Sequence, residues 1–129
     1  MIIGEVARET GVPAKTIRYY ESISLIGRAA RHDNGYREFS PGEVESLRFI
    51  RRARHLGFSL TEVAELLALW RESNRASADV KALALRRIRE MEQRIAELES
   101  LRRTLVELAE RCGGDHRPEC PILDDLARG

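Results

Sequence analysis

Long apolar runs, cysteines and an excess of charge are all scarce in this chain of 129 residues, and each scarcity excludes a class of protein. No stretch reaches the roughly eighteen consecutive apolar residues that a membrane-spanning helix requires. The N-terminal Met-Ile-Ile-Gly-Glu lacks the basic and then apolar pattern of a secretory signal. We therefore expect a cytoplasmic protein with no membrane partner.

The two cysteines, Cys112 and Cys120, are too few for a disulfide scaffold. Because the cytoplasm keeps thiols reduced as a rule, the pair favours metal binding or redox sensing. No nucleophile is paired with a base in the sequence and no glycine-rich loop could cradle phosphates, so we predict that the chain is not an enzyme. The net charge of +1 says little, but residues 8 to 58 hold ten Lys and Arg against six Asp and Glu.

The first forty residues have the pattern of a helix-turn-helix followed by a hairpin. A helix over 5–10 ends at Gly11, the chain turns, and a second helix runs over 15–22. Asn34-Gly35 is typical of a tight turn between two short strands, which predicts a small β-hairpin wing. This combination predicts a winged helix-turn-helix.

Three further helices are predicted downstream. Capping boxes at Ser40 and Ser59 begin two of them. The helix that begins at Ser59 has a wide apolar stripe that packs on the helix-turn-helix, and Trp70 in this stripe is assigned to the core. Residues 71–79 are polar and predict a hinge. From 80 to 111 the apolar positions, Met91 among them, alternate at spacings of three and four. We expect a coiled coil with a partner helix, antiparallel or parallel.

Long hydrogen-bond donors cluster on the second helix, which in a helix-turn-helix enters the major groove. Each donor alone is more often a solvated surface charge. Their joint position on successive elements, with the basic cluster of Arg51, Arg52 and Arg54, favours DNA binding. The predicted DNA-contacting residues are Lys15, Thr16, Arg18, Tyr19 and Tyr20 of the second helix, Arg31, Asn34, Gly35, Tyr36 and Arg37 of the wing, and Arg54.

The thiol pair suits a soft monovalent ion. A structural zinc site needs four nitrogen or sulfur ligands, whereas only His116 lies near Cys112 and Cys120, in a polar loop. Two thiolates fit Cu(I), which accepts linear coordination. Two alternatives stay open: a cysteine at a helix seam beside an incidental tail cysteine, and a regulatory disulfide.

Three segments resemble the MerR family of transcription regulators: Thr16-Ile17-Arg18-Tyr19-Tyr20-Glu21, Asn34-Gly35-Tyr36-Arg37, and the run from Arg54 to Leu60. Within the family the chain looks most like the CueR/HmrR copper-efflux regulators. The predicted fold is mainly all-α: a winged helix-turn-helix domain over 1–70, a hinge over 71–79, and a dimerisation helix over 80–111. A metal-binding loop and tail follow over 112–129.

The resemblance implies an activator of metal-efflux genes. Its homodimer, joined by an antiparallel coiled coil, would bind palindromic promoter DNA and distort an over-long spacer for RNA polymerase. Cys112 and Cys120 would hold one Cu(I) per protomer, with Ag(I) and Au(I) as other candidates. Ser77, where relatives that sense divalent ions have a cysteine, implies monovalent selectivity; by position it is also the N-cap of the long helix.

One residue departs from the family pattern. Ser24 stands where a glycine is usual, so strain is expected at the end of the second helix. Two other functions remain open: a regulator of the same family that responds to an organic effector or to thiol oxidation, and a coiled-coil adaptor that does not bind specific DNA.

Overall fold

The structure, a computed structural model, describes residues 1–27, 30–31 and 37–129. Its elements are α1 (Ile3–Thr10), α2 (Ala14–Ser22), β1 (Ala30–Arg31), β2 (Arg37–Glu38), α3 (Pro41–His55), α4 (Leu60–Arg71), α5 (Ser77–Arg111) and α6 (Pro121–Arg128). This mainly helical order confirms the predicted fold class. The chain forms two compact units, Met1–Ala84 and Leu85–Gly129. Within the described ranges, no helix combines the length and apolar character needed to cross a bilayer.

The first unit is built around one apolar core to which α1, α2, α3 and α4 each contribute. Val6, Ile17, Leu47, Ile50 and Val63 are fully buried. Helix α3 is central, because it packs on both α1 and α4. Burying side chains of this size contributes roughly 1.5–3 kcal/mol each, so the core holds the short helices α1 and α2 in place.

Serine caps begin both helices for which they were predicted. At α4 the capping box is complete: the Ser59 hydroxyl accepts from the Glu62 N–H at 3.2 Å, and the Glu62 carboxylate accepts from the Ser59 N–H at 2.9 Å. At α3 the Ser40 hydroxyl accepts from the Glu43 N–H at 3.2 Å, while the Glu43 carboxylate accepts from that same hydroxyl. Both helix starts are therefore local features of the sequence.

Ser24 occupies the position in a helix-ending motif that usually requires glycine. The Leu25 N–H donates to the Tyr20 carbonyl at 2.9 Å and the Ser24 N–H to the Glu21 carbonyl at 3.0 Å, which is the Schellman pattern. Ser24 has a φ of 59°, in the left-handed region. The same motif ends α3, where the left-handed residue is Gly57. The expected strain at the end of α2 is confirmed.

Replacing Ser24 by glycine is expected to stabilise the protein. A non-glycine residue in the left-handed region costs about 1–2 kcal/mol, and the extra backbone entropy of glycine offsets about 0.5–1 of this, leaving a net gain of about 0.5–1 kcal/mol. Ser22→Gly, the same substitution inside α2, is the control and is expected to destabilise. Chemical denaturation measures both; destabilisation by Ser24→Gly would contradict the assignment.

The two short strands pair antiparallel, with Ala30 opposite Glu38 and Arg31 opposite Arg37. The predicted tight turn at Asn34-Gly35 lies outside the described residues, so the tip of the wing stays a prediction. The end of β2 is tied to the start of the chain, because the Phe39 N–H donates to the Met1 carbonyl at 2.7 Å.

Helix α5 begins earlier than the sequence pattern predicted. It starts at Ser77, not Val80, so Ser77 is its first helical residue and the predicted N-cap role is wrong. Since α4 includes Arg71, the non-helical connection is confined to 72–76, within the predicted hinge of 71–79. The guanidinium of Arg75 donates to the carbonyls of Trp70 and Glu72. These bonds give hydrogen-bond donors to carbonyl groups at the end of α4 that have no partner within the helix.

Two residues assigned to the core are partly exposed. Trp70 is 40% exposed and stacks on the ring of Phe49, with centroids 4.6 Å apart. Met91, on α5, is also 40% exposed, and the other large apolar side chains along the predicted seam are between 45% and 65% exposed: Ile88, Ile95, Leu98 and Leu105. A single α5, about 52 Å long at 1.5 Å per residue, buries little of this stripe. The stripe therefore suits a partner helix.

Candidate functional site

The exposed face of α2 carries three of the predicted DNA-contacting residues. Lys15, Arg18 and Tyr19 follow the helical spacing of three and four and are all exposed. Thr16 is half-buried beside them. Tyr20, predicted to point outward, is only 8% exposed and belongs to the core. This correction follows from the spacing, because Tyr20 lies three residues after the fully buried Ile17.

The start of α2 is suited to an anion. Pro13 is its N-cap, and within the described ranges no side chain caps this end. The first-turn N–H groups of a helix have no intrahelical acceptor, and the helix dipole places partial positive charge there. A phosphate of a DNA backbone fits such a helix start, with Lys15 and Arg18 close by in the sequence.

The arginines of α3 make contacts within this chain, either with the turn into α4 or with the helix-turn-helix. Arg54, a predicted DNA contact, donates to the Phe58 carbonyl at 2.8 Å and so closes the turn into α4. Arg48 pairs with Glu9 at 2.9 Å. The guanidinium of Arg51 lies against Gly11, where a Cβ would be 2.9 Å from its Nε. Gly11 has a φ of 75°, which favours glycine, and a side chain there would also require the Arg51 guanidinium to shift.

The wing residues are only partly covered by the structure. The backbones of Arg31 and Arg37 pair in the hairpin, but Asn34, Gly35 and Tyr36 lie outside the described residues. Their predicted phosphate contacts stay predictions.

The two cysteines lie at opposite ends of the loop that joins α5 to α6. Cys112 directly follows α5, and its N–H donates to the carbonyls of Leu108 and Ala109 at 3.2 Å. Cys120 is the N-cap of α6, as predicted, with Pro121 in the first turn. Both thiols are free and half-buried. Leu108, whose carbonyl accepts from Cys112, is only 4% exposed, whereas residues 107 and 109–111 are exposed.

The donor set fits an ion that takes two soft ligands. In the described part of the chain, no three His, Cys, Asp or Glu side chains group together, as a site for a tetrahedral divalent ion would need. His116, the nearest other candidate, is exposed. Two thiolates suit a monovalent d¹⁰ ion, whereas a tetrahedral divalent ion would need more ligands than one protomer supplies here.

The loop between the cysteines is held by an ion pair that the sequence reasoning missed. The Asp115 carboxylate accepts from the Arg117 backbone N–H and from its Nε, both at 2.9 Å, and lies 2.7 Å from a terminal guanidinium nitrogen. These bonds hold the pKa of Asp115 below its ordinary value of 3.8. We call this pair the clasp. An Asp two residues before an Arg, after Gly113-Gly114, was the available signal.

Comparison with known proteins identifies the family. The family description "MerR HTH family regulatory protein" matches residues 1–70, and the description "MerR, DNA binding" matches residues 44–108. The chain belongs to the MerR family. MerR regulators are DNA-binding homodimers and not enzymes, so the predicted DNA partner, the homodimer and the absence of an enzyme activity are confirmed.

Curated MerR relatives align over nearly the whole chain. An uncharacterized HTH-type transcriptional regulator of Pseudomonas aeruginosa is 56% identical over all of this chain and 98% of its own length. The regulator HmrR of Sinorhizobium medicae is 53% identical, covering all of this chain and 88% of its own. CueR of Yersinia pestis is 46% identical, covering 98% and 91%. The predicted resemblance to the HmrR and CueR regulators is confirmed.

Solved MerR structures share the fold. A transcription regulator from Ralstonia metallidurans, in complex with lead(II), has a TM-score of 0.82 and 32% identity, and it covers 98% of both chains. MerR from Bacillus megaterium, in complex with mercury(II), has a TM-score of 0.75 and 34% identity, and it covers 98% of this chain and 99% of its own.

Proposed function

We propose that this protein is a cytoplasmic, Cu(I)-responsive transcription activator of metal-efflux genes. The ligands are Cys112 and Cys120, with one ion per protomer, and Ag(I) and Au(I) are accepted by the same pair. The observation that carries the proposal is the position of two free thiols at the two ends of one short loop. A relative from Rhizobium meliloti, 52% identical over all of this chain, carries the name heavy metal-dependent transcription regulator 2, which supports a metal-linked function.

Charge supports a monovalent ion at this pair. Two thiolates and one Cu(I) leave a net charge of minus one, which needs compensation where water is excluded. Cys120 lies at the N-terminus of α6, where the helix dipole is positive. By family resemblance, the partner subunit supplies the Ser77 position to the site, where a cysteine would add a third thiolate and favour a divalent ion; here the side chain is a hydroxyl.

The DNA-binding half acts through α2. Lys15, Thr16, Arg18 and Tyr19 are proposed to contact the major groove, the wing to contact flanking phosphates, and Arg54 to contribute a further phosphate contact. Two protomers joined by an antiparallel α5 coiled coil would present two such faces to a palindromic operator. The dimer would distort an over-long promoter spacer and so align the promoter elements for RNA polymerase.

The switch requires two states with different metal affinities. Bound Cu(I) would supply a link between the thiolates of Cys112 and Cys120. Because Cys112 follows α5 directly, the loop can pass a change in its shape to the dimerisation helix. A ligand that binds both states with equal affinity does not shift the equilibrium between them, so the metal must bind the activating conformer more tightly. A shift of the populations from 1:99 to 99:1 needs about 10⁴-fold tighter binding to that conformer.

A chelator competition tests the proposal. Reduced full-length protein is titrated with Cu(I) in the presence of a competing chelator, with Zn(II) as the comparison ion. We expect one Cu(I) per protomer, held more tightly than by the chelator, and no comparable Zn(II) binding. Failure to compete for Cu(I) would exclude the metal function.

One observation favours the alternative of an organic effector. Helices α3 and α4 line an apolar cleft of about 560 Å³, whose walls include the rings of Phe49, Phe58 and Trp70. A cleft of this size can hold a small organic molecule. If Cu(I) fails in the titration, binding of an aromatic organic cation, followed by Trp70 fluorescence, is the measurement that supports this alternative.

A further inference from the structure

We propose that the clasp between Asp115 and Arg117 is a positioning device that shapes the loop for simultaneous ligation by both cysteines. The inference rests on the proposed function, because it assigns two further residues to the same metal site. Neither residue would contact the ion.

The clasp stands midway between the thiols. Asp115 lies three residues after Cys112, and Arg117 lies three residues before Cys120. Bonds from the Asp115 carboxylate to both the backbone and the side chain of Arg117 fix the bend between them. The two arms that lead from this bend to the cysteines are only two residues long, so fixing the bend limits where the thiols can go.

The two arms differ in stiffness. Pro118, in the arm toward Cys120, has a fixed φ. The other arm is Gly113-Gly114, where Gly114 has a φ of 64°. A Cβ on Gly113 would lie 3.2 Å from an Asp115 carboxylate oxygen, so the arm passes tightly against the clasp. The glycines permit both the reversal of the chain and this close approach.

A loop that is already ordered loses less conformational entropy when both cysteines bind the ion. Fixing backbone torsion angles costs conformational entropy, and the clasp already restricts the central residues of the loop. Exposed ion pairs add little to global stability, and Arg117 and Asp115 are 75% and 43% exposed. The clasp should therefore affect metal affinity without affecting the unfolding temperature.

The sign of the effect separates positioning from electrostatics. A bis-thiolate site holding Cu(I) is anionic, so removal of a nearby negative charge should strengthen binding if charge alone matters. Loss of the clasp should weaken it. Asp115→Ala is therefore expected to lower Cu(I) affinity about two- to five-fold, the most that an exposed ion pair can contribute by ordering the loop.

Glu119→Ala is the matched control, since it removes the same charge from an exposed residue of the same loop. It is expected to leave the affinity unchanged or to raise it. Asp115→Asn keeps an acceptor for the Arg117 N–H and should recover part of the loss. Circular dichroism and thermal unfolding of the apo proteins should match the wild type.

A metal-free measurement separates this inference from the proposed function. Reduced protein is equilibrated with glutathione disulfide, which takes two electrons from the thiols; one Cys112–Cys120 bond forms and two glutathione thiols are released. The equilibrium constant reports how well the loop brings the thiols together, and Asp115→Ala should lower it several-fold. If wild-type protein binds no Cu(I), the proposed function fails and this equilibrium alone decides the clasp. Unchanged or higher values for Asp115→Ala, or equal losses in Glu119→Ala, would overturn the inference.

Discussion

Cys112→Ser is expected to abolish Cu(I) binding and promoter activation while leaving operator binding intact. A hydroxyl does not replace a thiolate for a soft ion, and a site with two ligands has no other thiolate to compensate. Structural zinc sites gain roughly 10–16 kcal/mol from four ligands, so one ligand is worth about 2.5–4 kcal/mol. The expected loss of affinity is therefore at least about 70-fold and up to about 900-fold, measured by chelator competition.

Cys120→Ser and the double variant complete this experiment. Because one thiolate cannot hold a linear site, both single variants and the double variant should lose binding to the same extent. Cys112 follows α5 at the predicted seam, so the outcome also tests the structural alternative. If Cys112→Ser weakens operator binding as well as metal binding, Cys112 has a structural role in the dimer in addition to any role as a metal ligand.

Arg18→Ala is expected to weaken operator binding by about 10- to 100-fold without a change in Cu(I) affinity. The side chain is exposed on the face of α2 that also carries Lys15 and Tyr19. A bidentate contact from arginine to a base is worth about 1–3 kcal/mol, and a phosphate contact would instead lower the salt dependence by about one unit. Operator and random DNA titrations at several salt concentrations distinguish the two.

Arg89→Ala is the control for Arg18→Ala, since Arg89 is exposed on α5, outside the helix-turn-helix. It removes the same charge and should change operator affinity little. Equal effects of the two variants would mean that α2 does not read the operator and that the loss reflects overall charge.

Local signals made most of the helices predictable. Gly11 and Gly57 end α1 and α3 because their left-handed conformation suits glycine, and Ser59 begins α4 through its capping box. The strain at Ser24 was predictable for the same reason, as the residue type conflicts with the φ of 59° that the Schellman motif imposes. These features depend on a few neighbouring residues, so the sequence alone carries them.

Features that depend on packing were predicted less well. Tyr19 and Tyr20 are adjacent and chemically alike, and only the packing of α2 against the core places one outside and one inside. Trp70 has a large apolar ring, yet it stacks on Phe49 at the surface of this chain. The clasp was missed because Asp, His and Arg in a loop have the composition of a solvated segment, whether or not they bond to each other.

X-ray absorption spectroscopy of the Cu(I)-loaded full-length protein tests the central claim most directly. The account predicts a single Cu(I) per protomer with two sulfur neighbours in linear geometry, from Cys112 and Cys120. Four-fold ligation, a nitrogen neighbour from His116, or a protein that retains no Cu(I) would contradict it.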